Sequence, residues 1–334
     1  MRAVVCRAWG AVDDLTVEDV APPHPARGEV LIQVEATAVN YADALMVAGR
    51  YQTRPPLPFS PGLETAGVVV QCGEGVTGVA PGQRVMAILA YGGLAEFAVA
   101  AETDTFAIPD GMSFEEAGAF PIAYLSSHVA LRWQGRLEPD ERLLVLGAAG
   151  GVGLTAVEIG KALGARVIAG ASTPDKLALA RAHGADEVVN YADENLTERV
   201  LALTDGRGAD VCFDPVGGDL FDAALSALGW GGRILVVGFV GGVQQIPANR
   251  LLVKNRAALG CSLRYYRWQA PDKLRRSVEE LLRWYGEGKL APSITARFPL
   301  ERSVEAIRLL TDRKAQGKLV VLPALPAEAT IDPT

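Results

Sequence analysis

What this chain lacks narrows its chemistry first. It has 3 histidines and 4 cysteines in 334 residues, and Cys6, Cys72, Cys212 and Cys261 stand far apart with no C-x-x-C pair. That spacing offers neither a zinc knuckle nor a disulfide scaffold. Most of the cysteines fall in strand-like apolar runs, where a buried thiol is the ordinary state, so a reducing, cytoplasmic setting is expected. Basic charge is also short: 32 Lys and Arg against 39 Asp and Glu leave a net charge of −7. Such a chain has no basic field to draw nucleic acid or an anionic membrane. No charge-free run reaches the ~20 residues of a membrane-spanning helix. Strand-like sequence begins at Ala3 with no charged and apolar leader before it, and a soluble, unprocessed protein is expected. Internal repeats and low-complexity tracts are missing too.

What is present points to a nucleotide. With 49% hydrophobic residues, the 334-residue chain can bury a large core and exceeds one typical domain, so two domains are expected. The organising stretch is LLVLGAAGGVGLTAVEIGKALG, Leu143 to Gly164. An apolar strand breaks into glycines and a helical pattern follows, which puts Ala149, Gly150, Gly151 and Val152 at a helix start. There the first-turn amides have no partner inside the helix, and the peptide dipoles favour a phosphate. A β-carbon at Gly150 would hold the backbone off a pyrophosphate, and one at Gly153 would hold the helix off the strand. Ala148 departs from the strict fingerprint, so a ligand-free strand-to-helix turn is the alternative. The second strand, Arg166 to Ala171, ends on Ser172 and Thr173 with Lys176 beyond, where an NAD site usually carries Asp or Glu. A carboxylate repels a 2′-phosphate, whereas hydroxyls and a cation suit it. These residues therefore predict NADPH rather than NADH. A plain cap for a helix starting near Pro174, with Lys176 on its wet face, is the alternative and is compatible with the first.

The rest of the chain arranges itself around that unit. From Ala3 to Ile108 short β-like runs alternate with Gly and Pro turns, as in an antiparallel barrel or sandwich. Ser113 and Glu116 make a capping box, Pro121 interrupts that helix, and a second helical pattern runs from Ala123 to Trp133. Helices then alternate with the strands Glu187 to Asn190, Asp210 to Asp214 and Arg233 to Gly238, giving a doubly wound parallel sheet. Its ligand belongs beyond the strand C-terminal ends, which adds Tyr191, Gly217, Gly238, Phe239 and Val240 to the cofactor set. Ala257 to Leu263 reads as a sixth strand and Pro271 to Tyr285 as an amphipathic helix. A returning β signal at Ile294 to Phe298 and Lys318 to Leu322 sends the tail back to the first domain. The expected boundaries are 1–122 with 266–334, and 123–265. The final PALPAEATIDPT is expected to fray.

Read in order, NYADALMVAGRYQ, LPFSPGLETAGVV, LVLGAAGGVG, ARAHGADEVVNY, DPVGG and QGKLVVL resemble the medium-chain dehydrogenase/reductase superfamily, in particular its zinc-free quinone oxidoreductase, zeta-crystallin-like branch. The resemblance covers nearly the whole chain. It implies an α/β protein: a GroES-like β-barrel domain plus a Rossmann doubly wound parallel sheet. An alanine at the Ala148 position is common there. Zinc-dependent alcohol dehydrogenases of the superfamily carry cysteine where this chain has Asn40 and histidine where it has Leu63, just before the shared Glu64. Neither replacement suits zinc, so Glu64 is expected to be structural and the reaction metal-free. The implied reaction passes hydride from nicotinamide to a quinone, or to an enone, enoyl or acyl-CoA substrate, and charge then develops on oxygen. Asn40 and Tyr51 match positions near the nicotinamide and are candidate donors, with Asp43 a third. Their alternatives are a turn residue, a packed aromatic and a loop-fixing carboxylate. By the same resemblance Ser126 touches the nicotinamide, Tyr191 packs near the adenosine ribose phosphate, and Lys318 reaches the cofactor from the C-terminal segment. His128 is expected to be a packed histidine. Arg264 and Arg267 beside Tyr265 and Tyr266 suit an acyl-CoA phosphate or a solvated patch. A homodimer through Rossmann edge strands is implied, with Ala257 to Leu263 as the edge. A non-enzymatic role, RNA-binding or structural, is the alternative of another class, and the acidic balance counts against RNA.

Overall fold

The computed structural model describes residues 1–327. The expectation for the chain end beyond them lies outside the described residues. Two compact units are formed, one from residues 1–122 with the segment from Pro292 onward, the other from Ala123–Ala291.

The first unit is built on the strand Glu29–Ala38, which pairs antiparallel with both Glu64–Cys72 and Phe97–Ala101. Val30, Ile32 and Val34 point to one side and bury against Val69, Val85 and Ala98, the period-2 pattern of a half-buried strand. The sheet runs Ile294–Pro299, Lys318–Leu322, Glu29–Ala38, Glu64–Cys72, Arg84–Ile88, Thr105–Ala107. The tail strand docks with Val320 opposite Ala38 and Val321 opposite Thr37. That antiparallel register brings Lys318 level with Asn40.

The second unit holds a six-stranded parallel sheet in the order Glu187–Asn190, Arg166–Ala171, Arg142–Leu146, Ala209–Asp214, Leu228–Val236, Ala257–Gly260. Leu143 to Leu146 are all fully enclosed, as expected of a parallel strand covered on both faces. The helix Gly151–Ala162 approaches so closely that a β-carbon at Gly160 would stand 2.6 Å from Leu143 Cδ2.

Three expectations need correcting. The sixth strand ends at Gly260, and Leu263–Gln269 is helical. The pattern Ala123 to Trp133 begins at Pro121 and passes at Val129–Gln134 into a π-helix, where the Gly135 amide donates to Ala130 O at 2.7 Å. The second unit also extends past 265 to Ala291. The helix Pro271–Gly286 stays with it: Leu274, Val278, Leu281 and Trp284 are buried, Trp133 Nε1 donates to Ser277 Oγ at 2.9 Å, and His128 Nε2 lies 2.9 Å from Glu280.

Candidate active site

The predicted site residues fall in two groups, one in each unit. In the second, the predicted cofactor residues other than Ser126 lie at or just past strand C-termini of the parallel sheet. Gly150 is the N-cap of the helix Gly151–Ala162 and offers no side chain to the first-turn amides. A β-carbon on Gly150 would meet only Gly147 O, at 3.4 Å, whereas one on Gly153 would stand 2.1 Å from the same oxygen. The first glycine keeps the space before the amides of Gly151, Val152 and Gly153 open, and the second lets the helix lie against the strand. Ala149 is buried inside the turn. Beside it, Thr173 caps the helix Pro174–Ala182 by accepting from the Lys176 amide at 3.4 Å. Thr173 is exposed, with Ser172 and Lys176 half-buried, so the cap reading holds and the hydroxyls still face solvent. Tyr191 lies over Gly170, where a β-carbon would meet its ring at 3.3 Å. These features fit a dinucleotide phosphate: an uncapped helix start, an open cradle above Gly150, and a second strand tip without a carboxylate.

The loops after the next two strands are laced to each other. Asp214 Oδ1 accepts from the amides of Val216 and Gly217, each at 2.8 Å, Gly241 N donates to Val216 O at 2.6 Å, and Gly218 N donates to Gly242 O at 3.0 Å. Gly217 sits at φ +70, and a β-carbon there would strike Gly242 O at 2.5 Å. At Gly238 a β-carbon would stand 2.8 Å from Pro215 O, while Phe239 is exposed. Asp214 Oδ2 and Gln244 Oε1 are buried without a partner among the described residues, and burial raises the Asp214 carboxyl above its usual range. Asp214 was not singled out in the sequence; the strand-end acid of DPVGG was its signal.

Ser126 is half-buried on the helix Pro121–His128. Its neighbour Ser127 donates to Val152 O at 2.8 Å and shares a 2.8 Å hydrogen bond with Thr155 Oγ1, tying that helix to the glycine turn. His128 is fully buried against Glu280, with Nδ1 unpartnered, and burial lowers its pKa. A packed, neutral ring is the result. In Leu263–Gln269, Arg264 lies 4.9 Å over the Trp268 ring, and Tyr265 and Trp268 are exposed.

The first unit holds a buried polar cluster. Asn40 is the N-cap of the helix Tyr41–Val47, and its amide N–H donates to Asp43 Oδ2 at 2.7 Å. Asp43 Oδ1 accepts from Gly62 N at 3.1 Å. Asp43 is wholly enclosed, and burial pushes its carboxyl up to about 7. It clamps two backbone segments, so of its two expected roles the loop-fixing one describes its surroundings. The Asn40 side chain donates to Glu64 Oε1 at 2.9 Å and to Ala38 O at 3.3 Å. The Asn40 side-chain nitrogen thus has acceptors within its own unit. Glu64 Oε2 accepts from Ile122 N at 2.8 Å, making Glu64 the structural carboxylate expected of it. Lys318, expected to reach the cofactor, has Nζ 2.8 Å from both Asn40 Oδ1 and Glu64 Oε1, and the residue is 6% exposed. Tyr51 follows the helix Tyr41–Val47, is half-buried, and packs against the core of this unit. The chemistry of this cluster does not fit zinc. Leu63 has no donor atom, an amide is a poor ligand, and an ammonium already sits against the one carboxylate a metal would share.

Comparison with known proteins shows the family. A family described as alcohol dehydrogenase GroES-like domain matches residues 26–110, and one described as zinc-binding dehydrogenase matches residues 151–283. The chain is 39% identical to a quinone oxidoreductase-like protein 2 homolog of Nematostella vectensis, over 96% of this chain and 88% of that protein. Among solved structures, the quinone oxidoreductase of Thermus thermophilus, described with its NADPH complex, is 36% identical with a TM-score of 0.85, covering 96% of this chain and 100% of that one. The Escherichia coli quinone oxidoreductase complexed with NADPH is 29% identical with a TM-score of 0.91, covering 97% and 100%.

Proposed function

This chain belongs to the quinone oxidoreductase branch of the medium-chain dehydrogenase/reductase superfamily, and from that premise we propose that it is an NADPH-dependent oxidoreductase that reduces quinones without a catalytic metal. The observation that carries this reading is the bare helix start at Gly150 next to a strand tip that ends Ala171-Ser172-Thr173. When bound, the nicotinamide supplies a hydride. The chain's own residues do the rest. The amides of Gly151, Val152 and Gly153 bind the pyrophosphate, and Ser172, Thr173 and Lys176 neutralise and hydrogen-bond the 2′-phosphate. Tyr191, Ser126 and the laced loops carrying Gly217 and Gly238 to Val240 would hold the rest of the dinucleotide. Asp43 and Glu64 hold the backbone of the first unit in one arrangement, and Tyr51 contributes its ring and hydroxyl to the substrate's surroundings.

Quinones are favoured over enones by the relatives named quinone oxidoreductase. The test is initial-rate measurement with a panel of quinones and enones, each with NADPH and NADH, before and after treatment with a strong chelator. Quinone reduction with NADPH preferred and chelator without effect is expected. Faster turnover of enones moves the substrate to that class, and activity lost to chelator and restored by zinc overturns the metal-free mechanism. The assembly we propose is a homodimer. The strand Ala257–Gly260 ends the sheet with a partner on one side only, and the nearby Trp230, Leu252 and Val253 are 77%, 77% and 79% exposed.

A further inference from the structure

A second opening lies wholly within the second unit. It is a cavity of about 530 Å3, lined by Trp133, Gln134, Gly135, Arg136, Arg233 and Leu259, and falls inside the ~300–1,000 Å3 range of small-molecule sites. Trp133 and Gln134 end the π-helix Val129–Gln134, a rare form that recurs at functional sites. Arg233 braces the turn that follows. Its Nε donates to Gly135 O at 2.6 Å, its Nη2 donates to Arg136 O at 2.9 Å, and its guanidinium pairs with Glu141. Arg136 is held there at φ +49, in the left-handed region that few long side chains adopt. Glu141 immediately precedes the strand Arg142–Leu146, so this brace lies toward the strand start, whereas the glycine turn follows the strand end. The cavity is therefore separate from the dinucleotide cradle.

Charge and shape indicate the occupant. Glu141 is committed to Arg233, and Glu280 to His128 at 2.9 Å with Arg132 at 3.8 Å. Two cations are left over. The exposed Arg136 guanidinium and the Lys273 ammonium, which stands 5.5 Å over the Trp133 ring, have no ion-pair partner among the described residues. Tyr266 donates to Gln134 Oε1 at 3.4 Å, and the amide nitrogen of Gln134 has no acceptor among the described residues. Half-buried Trp133 and Leu259 supply apolar wall, and Trp133 Nε1 already donates to Ser277, so the indole offers the cavity only its ring. On a chain of net charge −7, this is a local surplus of positive charge beside a flat apolar surface. We propose that the cavity is a second ligand site that takes a flat organic carboxylate. The rings of the ligand lie against Trp133 and Leu259, and its carboxylate meets Arg136 with the Gln134 amide N–H beside it. The site is independent of the reaction proposed above.

The test is calorimetric titration of the full chain with 2-naphthoate, without nucleotide and with saturating NADPH. The uncharged 2-naphthamide and the ringless acetate are the comparison probes. One 2-naphthoate per chain is expected, with the same affinity in the presence of NADPH and with both comparison probes at least about tenfold weaker. Arg136→Gln removes the unpaired cation and should weaken 2-naphthoate about tenfold. Gln134→Glu keeps the acceptor for Tyr266 while placing a negative charge in the cavity, and should weaken it by at least as much. Lys273→Gln stands in for either variant that does not fold. No saturable binding, displacement by NADPH, equal affinity for 2-naphthamide, or wild-type affinity in the variants overturns the proposal. Affinity that falls as protein concentration rises gives the cavity to a second copy of the chain and overturns it too. A protein that binds 2-naphthoate but not NADPH keeps this site and loses the function proposed above.

Discussion

Two alanine substitutions three residues apart should fail in different ways, and the difference follows from where each β-carbon would stand. Gly150 has φ −80 and ψ 170, a conformation any residue adopts, and its new methyl would meet Gly147 O at an ordinary 3.4 Å. Gly150→Ala should therefore fold normally, gaining ~0.4–1 kcal/mol from a less flexible unfolded chain. That methyl nonetheless takes up part of the open space beside the helix start, where Gly147 O is the only neighbour within 4 Å outside the adjoining residues. Loss of a single charge-assisted hydrogen bond to a phosphate is worth ~1.5–3 kcal/mol, or about 10- to 100-fold in the NADPH dissociation constant. At Gly153 the methyl would stand 2.1 Å from Gly147 O, 2.8 Å from Gly147 C and 2.9 Å from Ala148 Cα, all backbone atoms. No rotamer change relieves that clash, so the helix must retreat from the strand, at the ~1–3 kcal/mol or more that overpacking costs. Urea unfolding and titration of NADPH fluorescence separate the two. Gly150→Ala should keep or slightly raise its midpoint and lose affinity, while Gly153→Ala should lose midpoint as well. A Gly150→Ala protein that binds NADPH as tightly as wild type would show that the phosphates do not rest on this helix start.

Further predictions concern the second strand tip, the buried acid and the sheet edge. Lys176→Ala should weaken NADPH binding about tenfold by removing one charge-assisted contact and leave NADH nearly unchanged; equal losses in a fluorescence titration would cancel the 2′-phosphate assignment. Asp43 has its pKa raised by burial from 3.8 to about 7. The folded state thus holds a proton that the unfolded chain gives up, and Asp43 makes stability fall as pH rises between about 4 and 7. Unfolding free energies of wild type and Asp43→Asn across that range should converge at low pH and diverge in slope above it, and parallel slopes would count against the buried titration. Val253→Glu with Leu252→Lys should turn dimers into monomers by light scattering with the melting temperature preserved, since both side chains are exposed.

How far the sequence went depended on the distance over which each interaction acts. The nucleotide unit was legible because its signals are local. Glycine at Gly150 and Gly153 answers contacts within a few residues, and each strand-to-helix turn repeats one short pattern, so the parallel, helix-covered sheet followed from the alternation alone. The cap at Asn40 was legible in principle, since an Asn followed three residues later by an acid marks a helix start, yet the short Tyr41–Val47 helix was passed over. The second domain junction was misplaced for a different reason. The pattern in Pro271 to Tyr285 announces one apolar face but not what covers it, and only contacts such as Trp133 to Ser277 assign the helix to its unit.

The polar cluster of the first unit marks where reading along the chain must stop. Lys318 meets Asn40 across 278 positions and Glu64 across 254, and no periodicity or motif encodes a pairing at that range. What encodes it is the register of the tail strand, Val320 against Ala38, which is set by the burial of Val320 and Val321 in the core. A one-residue slip would exchange the faces on which Val320 and Val321 pack, which belong to two different apolar clusters, and carry the lysine away from the amide. The apolar pattern of KLVVL thus decides where the charge goes.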